Sequence, residues 1–200
     1  MSVLSELYQK ICSCNKCEIA RSRTRAVPGE GPEDAELMFI GEAPGYHEDQ
    51  QGRPFVGQAG QFLNELLISI GLKRADVYIT NIIKTRPPGN RDPLPAEIDN
   101  CKTWLDRQIE IIRPKMIVTL GRYSLARFFP GKTIGQVHGT SIVKDDIICF
   151  AMYHPAAALH QQSLREVLMK DMQKIPKLFA ELNSVPVEAQ KAEITQLPLF

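Results

Sequence analysis

Short apolar runs alternate along this chain with longer stretches in which apolar residues recur every three or four positions. Val3, Leu4, Leu7 and Ile11 fall at helical spacing and predict a first short helix over about 2–11. Leu37 to Ile40 is a compact apolar run that stops at Gly41, which reads as a buried strand breaking into a loop. Phe62, Leu63, Leu66, Leu67 and Ile70 then form one face of an amphipathic helix closed by Gly71. Val77 to Ile83 is β-branched and apolar, a second strand. It ends in a segment over 84–93 too rich in Pro and Gly to continue as helix or strand. A helix begins near Pro95, a residue suited to a first helical turn, and carries Ile98, Cys101, Trp104, Leu105, Ile109 and Ile112 along one side. Met116 to Leu120 is a third strand, Arg122 to Phe129 a short helix, and Ile147 to Met152 a fourth strand broken at Tyr153-His154-Pro155. The apolar positions from Leu164 to Phe179 support one final helix with Pro176 near its end, and from Asn183 the periodicity fades into what reads as a flexible tail. Strands alternating with helices imply an α/β fold, a three-layer α/β/α sandwich with a central, largely parallel four-stranded sheet. Residues 1–182 form one domain in this reading and 183–200 the tail.

Composition narrows the class. Two hundred residues with 44% apolar content suit a single domain with a real core. No apolar run approaches a membrane span and the N-terminal segment lacks the features of a secretory signal, so the chain reads as soluble and cytoplasmic. With 24 basic and 23 acidic residues the net charge is +1, so any attraction for nucleic acid must come from local clustering. Five cysteines, an odd number, favour metal or core roles over a disulfide framework.

The polar residues at strand ends are the candidates for chemistry. In open α/β sheets ligands gather beyond the C-terminal ends of the strands, where Glu42, Asn81 and His154 would face one edge. Gly41 and Gly45 allow close approaches that a side chain would forbid. Asn81 carries both a donor and an acceptor on one amide, and Phe55 can supply a flat apolar wall. Residue types alone leave plain alternatives open: Asn can cap a strand end, Phe55 can be core, and His-Pro is a common way to leave a strand. Cys14-x-x-Cys17 suits zinc, an iron–sulfur cluster or a redox pair equally, whereas Cys149 inside an apolar strand reads as core.

Taken together, Gly41-Glu42-Ala43-Pro44-Gly45, Glu48-Asp49 and Gly52-Arg53-Pro54-Phe55-Val56-Gly57 resemble the active-site signature of the family 4 uracil-DNA glycosylases, the iron–sulfur enzymes of their superfamily. Tyr153-His154-Pro155-Ala156 matches the family's second motif, and the resemblance runs from about Cys14 to Lys170. It implies a DNA-repair hydrolase that cuts the bond between uracil and deoxyribose and leaves an abasic site. Uracil-containing DNA would be the substrate and the protein a monomer. In that scheme Asn81 reads the O4 and N3–H edge of a flipped-out uracil, Phe55 stacks on it beside Gly41, and His154 donates to O2. Glu42 orients or activates water, or instead holds its own loop through backbone amides. The family also implies a 4Fe–4S cluster held by four cysteines. Cys14, Cys17 and Cys101 match three of them, but Thr85 stands at the other position in Lys84-Thr85-Arg86-Pro87-Pro88, and a hydroxyl is a hard, weak ligand for iron. Cys12 is the remaining thiol near that site. Lys84, Arg86, Arg91 and the basic cluster Arg21 to Arg25 become candidates for phosphate contact, with Leu159 as the bulky apolar residue after the His motif. The final residues Gln196, Leu197, Leu199 and Phe200 resemble the short motif by which bacterial repair proteins dock on the polymerase sliding clamp. Two rival readings are a non-catalytic DNA-binding module that carries the pocket or the cluster, and a glycosylase acting on a broader range of deaminated bases.

Overall fold

The computed structural model describes residues 2–184. Five strands form one sheet: β1 (Leu37–Gly41), β2 (Tyr78–Asn81), β3 (Met116–Leu120), β4 (Ser141–Lys144) and β5 (Ile147–Met152), in the spatial order β2-β1-β3-β5-β4. β2, β1, β3 and β5 are parallel and correspond to the expected four strands, so their C-terminal ends share one edge. The sheet is one strand wider than expected. β4 pairs antiparallel with β5 through a hairpin whose turn residues, Asp145 and Asp146, both have positive φ, at 52° and 61°.

Nine helices surround the sheet among the described residues: α1 (Val3–Cys12), α2 (Tyr46–Gln51), α3 (Gln58–Ser69), α4 (Pro95–Ile112), α5 (Arg122–Phe128), α6 (Ile134–Val137), α7 (Ala157–His160), α8 (Ser163–Met172) and α9 (Ile175–Ser184). Successive strand residues point to opposite faces, and both faces are buried. Met38, Ile40, Tyr78 and Ile117 pack with Leu4, Leu7 and Ile11 of α1 and Leu105 and Ile112 of α4. Leu37, Phe39, Ile79, Val118 and Phe150 pack on the other side with Phe62, Leu63 and Leu66 of α3 and Leu168 and Met172 of α8. This is the expected three-layer sandwich.

Two boundaries differ from the sequence reading. The final helix is two helices, and Pro176 lies in the first turn of α9. A proline there lacks only an amide hydrogen that has no intrahelical partner, whereas inside a continuous helix it would break a bond and clash with the preceding turn. The supposed continuous loop after β1 also contains a helix, α2, closed by Gly52 at φ 70°. Residues 185–200, with the clamp-like Gln196, Leu197, Leu199 and Phe200, lie outside the described residues, while Asn183 and Ser184 belong to α9 rather than to a tail. No helix among the described residues is long and apolar enough to cross a membrane.

Candidate active site

The register of the sheet puts Gly41 beside Asn81, the last residues of β1 and β2. A Cβ on Gly41 would lie 2.4 Å from Asn81 Oδ1 and 2.5 Å from the tip of Phe55, so the absence of a side chain lets the amide and the ring close on the strand end. Asn81 is 1% exposed, and its Oδ1 is buried without a hydrogen-bond partner. An orphaned acceptor of this kind typically costs about 1–3 kcal/mol, so it marks a site that a ligand would satisfy.

Phe55 reaches this position by an uncommon backbone. Its φ is 52°, the left-handed region that a bulky residue seldom occupies. Arg74 holds it there, donating from Nη1 to the Phe55 carbonyl at 2.9 Å and from Nη2 to the Pro54 carbonyl at 2.7 Å. Gly60 makes room for the same carbonyl, since a Cβ would sit 1.9 Å from it. The Phe55 ring lies near-parallel to His154, with centroids 5.5 Å apart and 25° between planes.

His154 leaves β5 and packs against Gly121 at the end of β3, where a Cβ would approach to 2.9 Å. The Ala156 backbone N–H donates to His154 Nδ1 at 3.1 Å. Nδ1 is therefore the acceptor, and the proton of the neutral ring sits on Nε2, which is left as a donor. Burial pushes this imidazole down to about 4, so it is neutral at physiological pH.

Glu42 follows β1 and lines a cleft with Phe55 and His154, with Asn81 outside its lining, and burial, reinforced by Asp92 and opposed by Arg122, raises its pKa above the usual carboxylate value. The loop-holding role open to Glu42 belongs to Glu48. Its Oε1 accepts from the backbone N–H groups of Val56 and Gly57, both at 2.8 Å, and its Oε2 from Gly45 at 3.1 Å. One carboxylate thus ties the start of α2 to the loop carrying Phe55. Asp49, 3% exposed, accepts from Thr24 and Arg25 and fastens α2 to the N-terminal segment. The sequence signalled Glu48 as a motif member without its role, and nothing in the pattern pointed to Arg74.

Glu42, Pro44, Gly45, Phe55, Asn90 and His154 are among the residues around a cleft of about 480 Å³. That lies within the range of about 300–1,000 Å³ typical of small-molecule sites. A larger hollow of about 810 Å³ beside the end of α4 mixes charges of both signs and brings together no comparable set of strand-end groups.

The cysteines give a different picture. Cys14 and Cys17 are half-buried, Cys101 is buried and Cys12 is exposed. The first three lie near enough for their charges to act on one another: burial raises Cys17 and Cys101, and Cys14 adds to both shifts. Among the described residues no three His, Cys, Asp or Glu side chains are placed to share one metal ion. Thr85 is buried, and its hydroxyl accepts from Arg23 Nη1 at 3.1 Å. Arg23 Nη2 donates to the carbonyls of Cys12 and Cys14 at 2.6 and 2.8 Å. Cys14, Cys17 and Cys101 supply thiols of the type a cluster takes without being gathered into one metal site, and at the fourth position an arginine engages the Thr85 hydroxyl.

The basic residues divide. Arg86 lies over the ring of exposed Tyr46 at 5.1 Å, and Arg91 is bound to Glu97. Arg21 and Arg25 are exposed, and so is Leu159 at 46%. Lys84 is withdrawn altogether, 1% exposed, with burial drawing its pKa down to about 7, so it is not a phosphate contact.

Comparison with known proteins agrees with the sequence resemblance. The model of the uracil DNA glycosylase superfamily matches residues 28–183. A type-4 uracil-DNA glycosylase of Sulfurisphaera tokodaii is 49% identical over 188 residues, covering 89% of this chain and 86% of that protein. Proteins of the same description from Archaeoglobus fulgidus and Thermotoga maritima are 45% and 42% identical, over 89% and 87% of this chain and 94% and 92% of theirs.

Proposed function

The chain belongs to the type-4 uracil-DNA glycosylases of the uracil-DNA glycosylase superfamily, hydrolases of DNA repair, and we propose that Asn81, Phe55, His154 and Glu42 carry the reaction in the cleft at the sheet edge. The observation behind this reading is the buried, unpartnered Oδ1 of Asn81. Uracil N3–H would satisfy it, while the Asn81 NH₂ group donates to O4. Cytosine offers an amino group and a bare N3 at the same edge, and would leave both buried groups mismatched. The base must leave the duplex stack to reach the cleft, and Phe55 gives it an apolar surface in exchange.

As the bond from N1 to the sugar lengthens, negative charge spreads onto the uracil oxygens and positive charge onto the sugar. His154 Nε2–H would then strengthen its hydrogen bond to O2, with no proton transfer required. A neutral imidazole suits this role, because the accepting Nδ1 is already satisfied by Ala156. Glu42 as carboxylate stabilises the cationic sugar and orients the water that attacks it. Glu48 and Arg74 act through the loop by fixing Phe55. Cys14, Cys17 and Cys101 would hold the 4Fe–4S cluster implied by the family, a structural staple near the segment over 84–93 that takes no part in these steps.

Asn81→Asp tests the reading. Its carboxylate accepts from the cytosine amino group, so excision of cytosine should appear while uracil release falls. Both are measured as alkali-sensitive breaks in oligonucleotides carrying one target base. A variant that keeps full uracil release and unchanged selectivity would remove Asn81 from the pocket. Uracil-bearing DNA bound by the parent protein but never cleaved would favour the binding-module alternative.

A further inference from the structure

Among the described residues, arginines lie over aromatic rings in four places: Arg86 over Tyr46, Arg122 over Tyr123, Arg127 over Phe128 and Arg165 over Phe62. Three of these cations are already paired with a carboxylate, Arg122 with Asp92, Arg127 with Asp106 and Arg165 with Glu65. Arg86 has no carboxylate partner among the described residues. Its Nε donates to Asn90 Oδ1 at 2.7 Å. The other four hydrogens of the guanidinium, on the two terminal nitrogens, meet no acceptor among those residues.

The Arg86–Tyr46 pair stands at the mouth of the cleft. Gly45, which precedes Tyr46, lines the cleft, and so do Pro87, Asn90 and Arg91, which follow Arg86. Tyr46 and Arg86 are outside that lining, beside the cleft rather than in it. Tyr46 is 53% exposed, with the Arg86 guanidinium carbon 5.1 Å from its ring centroid and the His47 ring edge-on to it, at 5.5 Å and 79°. The cation that backs this ring is held in a stiff loop. Pro87 and Pro88 follow Arg86, and Asn90, the residue that accepts from it, has a φ of 56°, left-handed backbone that Asn tolerates. A single exposed aromatic needs no explanation. An exposed aromatic backed by an unpaired cation, next to a cleft that takes one base, calls for one.

Single-stranded nucleic acid is bound by this combination: a base stacks on the aromatic face, and the cation takes a phosphate. A free guanidinium fork matches phosphate oxygens in shape as well as charge. A uracil turned into the cleft also leaves the adjoining base on its strand without a stacking partner on that side. We propose that Tyr46 is the stacking platform for the unpaired base next to the target uracil, and that Arg86 binds the phosphate beside that base. The inference rests on reading the cleft as the uracil site and extends it to a second nucleotide of single-stranded DNA.

The test uses single-stranded oligonucleotides carrying one uracil, with both neighbouring bases present or with the 5′ or the 3′ neighbour replaced by an abasic spacer. Single-turnover release is followed over a range of protein concentrations, which separates the rate at saturation from the half-saturating concentration. Tyr46→Ala should raise the half-saturating concentration about tenfold on the strand with both neighbours, and Tyr46→Phe, which keeps the ring, should stay near the parent value. The alanine effect should vanish with one of the two spacers. Arg86→Gln should weaken binding to all three strands and lower the slope of log affinity against log salt by about 0.7. An alanine effect that survives both spacers, or no effect at all, would overturn the platform, and an unchanged salt slope would overturn the phosphate contact. Failure of the parent protein to release uracil from the strand with both neighbours would overturn the reading of the cleft instead.

Discussion

His154 illustrates how much depends on the protonation state of a single ring. Its imidazole is held near 4 by burial, and its Nδ1 is occupied by the Ala156 amide, so Nε2 keeps its hydrogen through the physiological range. Because the folded-state value lies below the ordinary 6.5, the ring supports the fold above that pH, and the support is withdrawn as pH falls toward about 4. The rate should follow the same logic. Single-turnover uracil release should show no break near 6.5. It should fall on the acid side as Glu42 is protonated through its raised value, with His154 titrating toward about 4. His154→Ala should slow cleavage about 10²–10³-fold, with a far smaller effect on DNA binding. A break near 6.5 that persists in Glu42→Gln, or an alanine variant with the parent's rate, would show that the ring is not the O2 donor. The place of His154 was legible in the sequence because it follows an apolar run, whereas Asn81 lies inside the run from Val77 to Ile83 and only the structure puts it at the end of β2. Neither the reach of Arg74 nor the burial of Lys84 was legible. Arg74 reaches the backbone of Pro54 and Phe55 across the fold, and Lys84 lies in a basic segment whose composition suggests solvent.

At the scale of elements, the apolar runs that become β1, β2, β3 and β5 were readable because strands buried on both faces are nearly continuous in apolar residues. β4 was hidden by the opposite property: all its residues are exposed, and it exists as the partner of β5 across the turn at Asp145 and Asp146. α2 was hidden because Gly and Pro surround it, and its clearest marks are Glu48 and Asp49 in the first turn and Gly52 at the end. Thr85 was legible as a departure from the family pattern, but the Arg23 contact that fills its place was not. Arg23 joins the segment after β2 to the carbonyls of Cys12 and Cys14, the connection a fourth thiolate would make through a cluster. Thr85→Cys should therefore increase the iron recovered per chain after anaerobic purification, read by iron count and visible absorption. Iron unchanged by the substitution, or stoichiometric zinc in the parent protein, would remove the cluster assignment from Cys14, Cys17 and Cys101.

For the whole molecule, the cleft and the C-terminal end of the chain pose separate questions. All four parallel strands deliver their ends to one edge, where the proposed site lies, and none of the strand-end residues there belongs to the segment over 185–200. That segment ends in Gln196-Leu197-Pro198-Leu199-Phe200, which we propose docks on a replication clamp, with Leu197, Leu199 and Phe200 entering apolar pockets and Gln196 at the rim. Full burial of an aliphatic or aromatic side chain contributes roughly 1.5–3 kcal/mol, and ordering the peptide removes part of the total. Three such anchors support an affinity on the order of micromolar, enough for a repair enzyme brought repeatedly to newly made DNA. The preceding residues from Val185 to Thr195 include Pro186 and several polar residues, which we read as a tether. Full-length protein should retain purified clamp in a pull-down, and a chain ending at Thr195 should lose it while releasing uracil from free oligonucleotides at the parent rate. Equal retention by the two chains would exclude the docking motif. Loss of uracil release on truncation would mean that these residues also serve the catalytic domain, contrary to a division between a cleft that works alone and an end that delivers it.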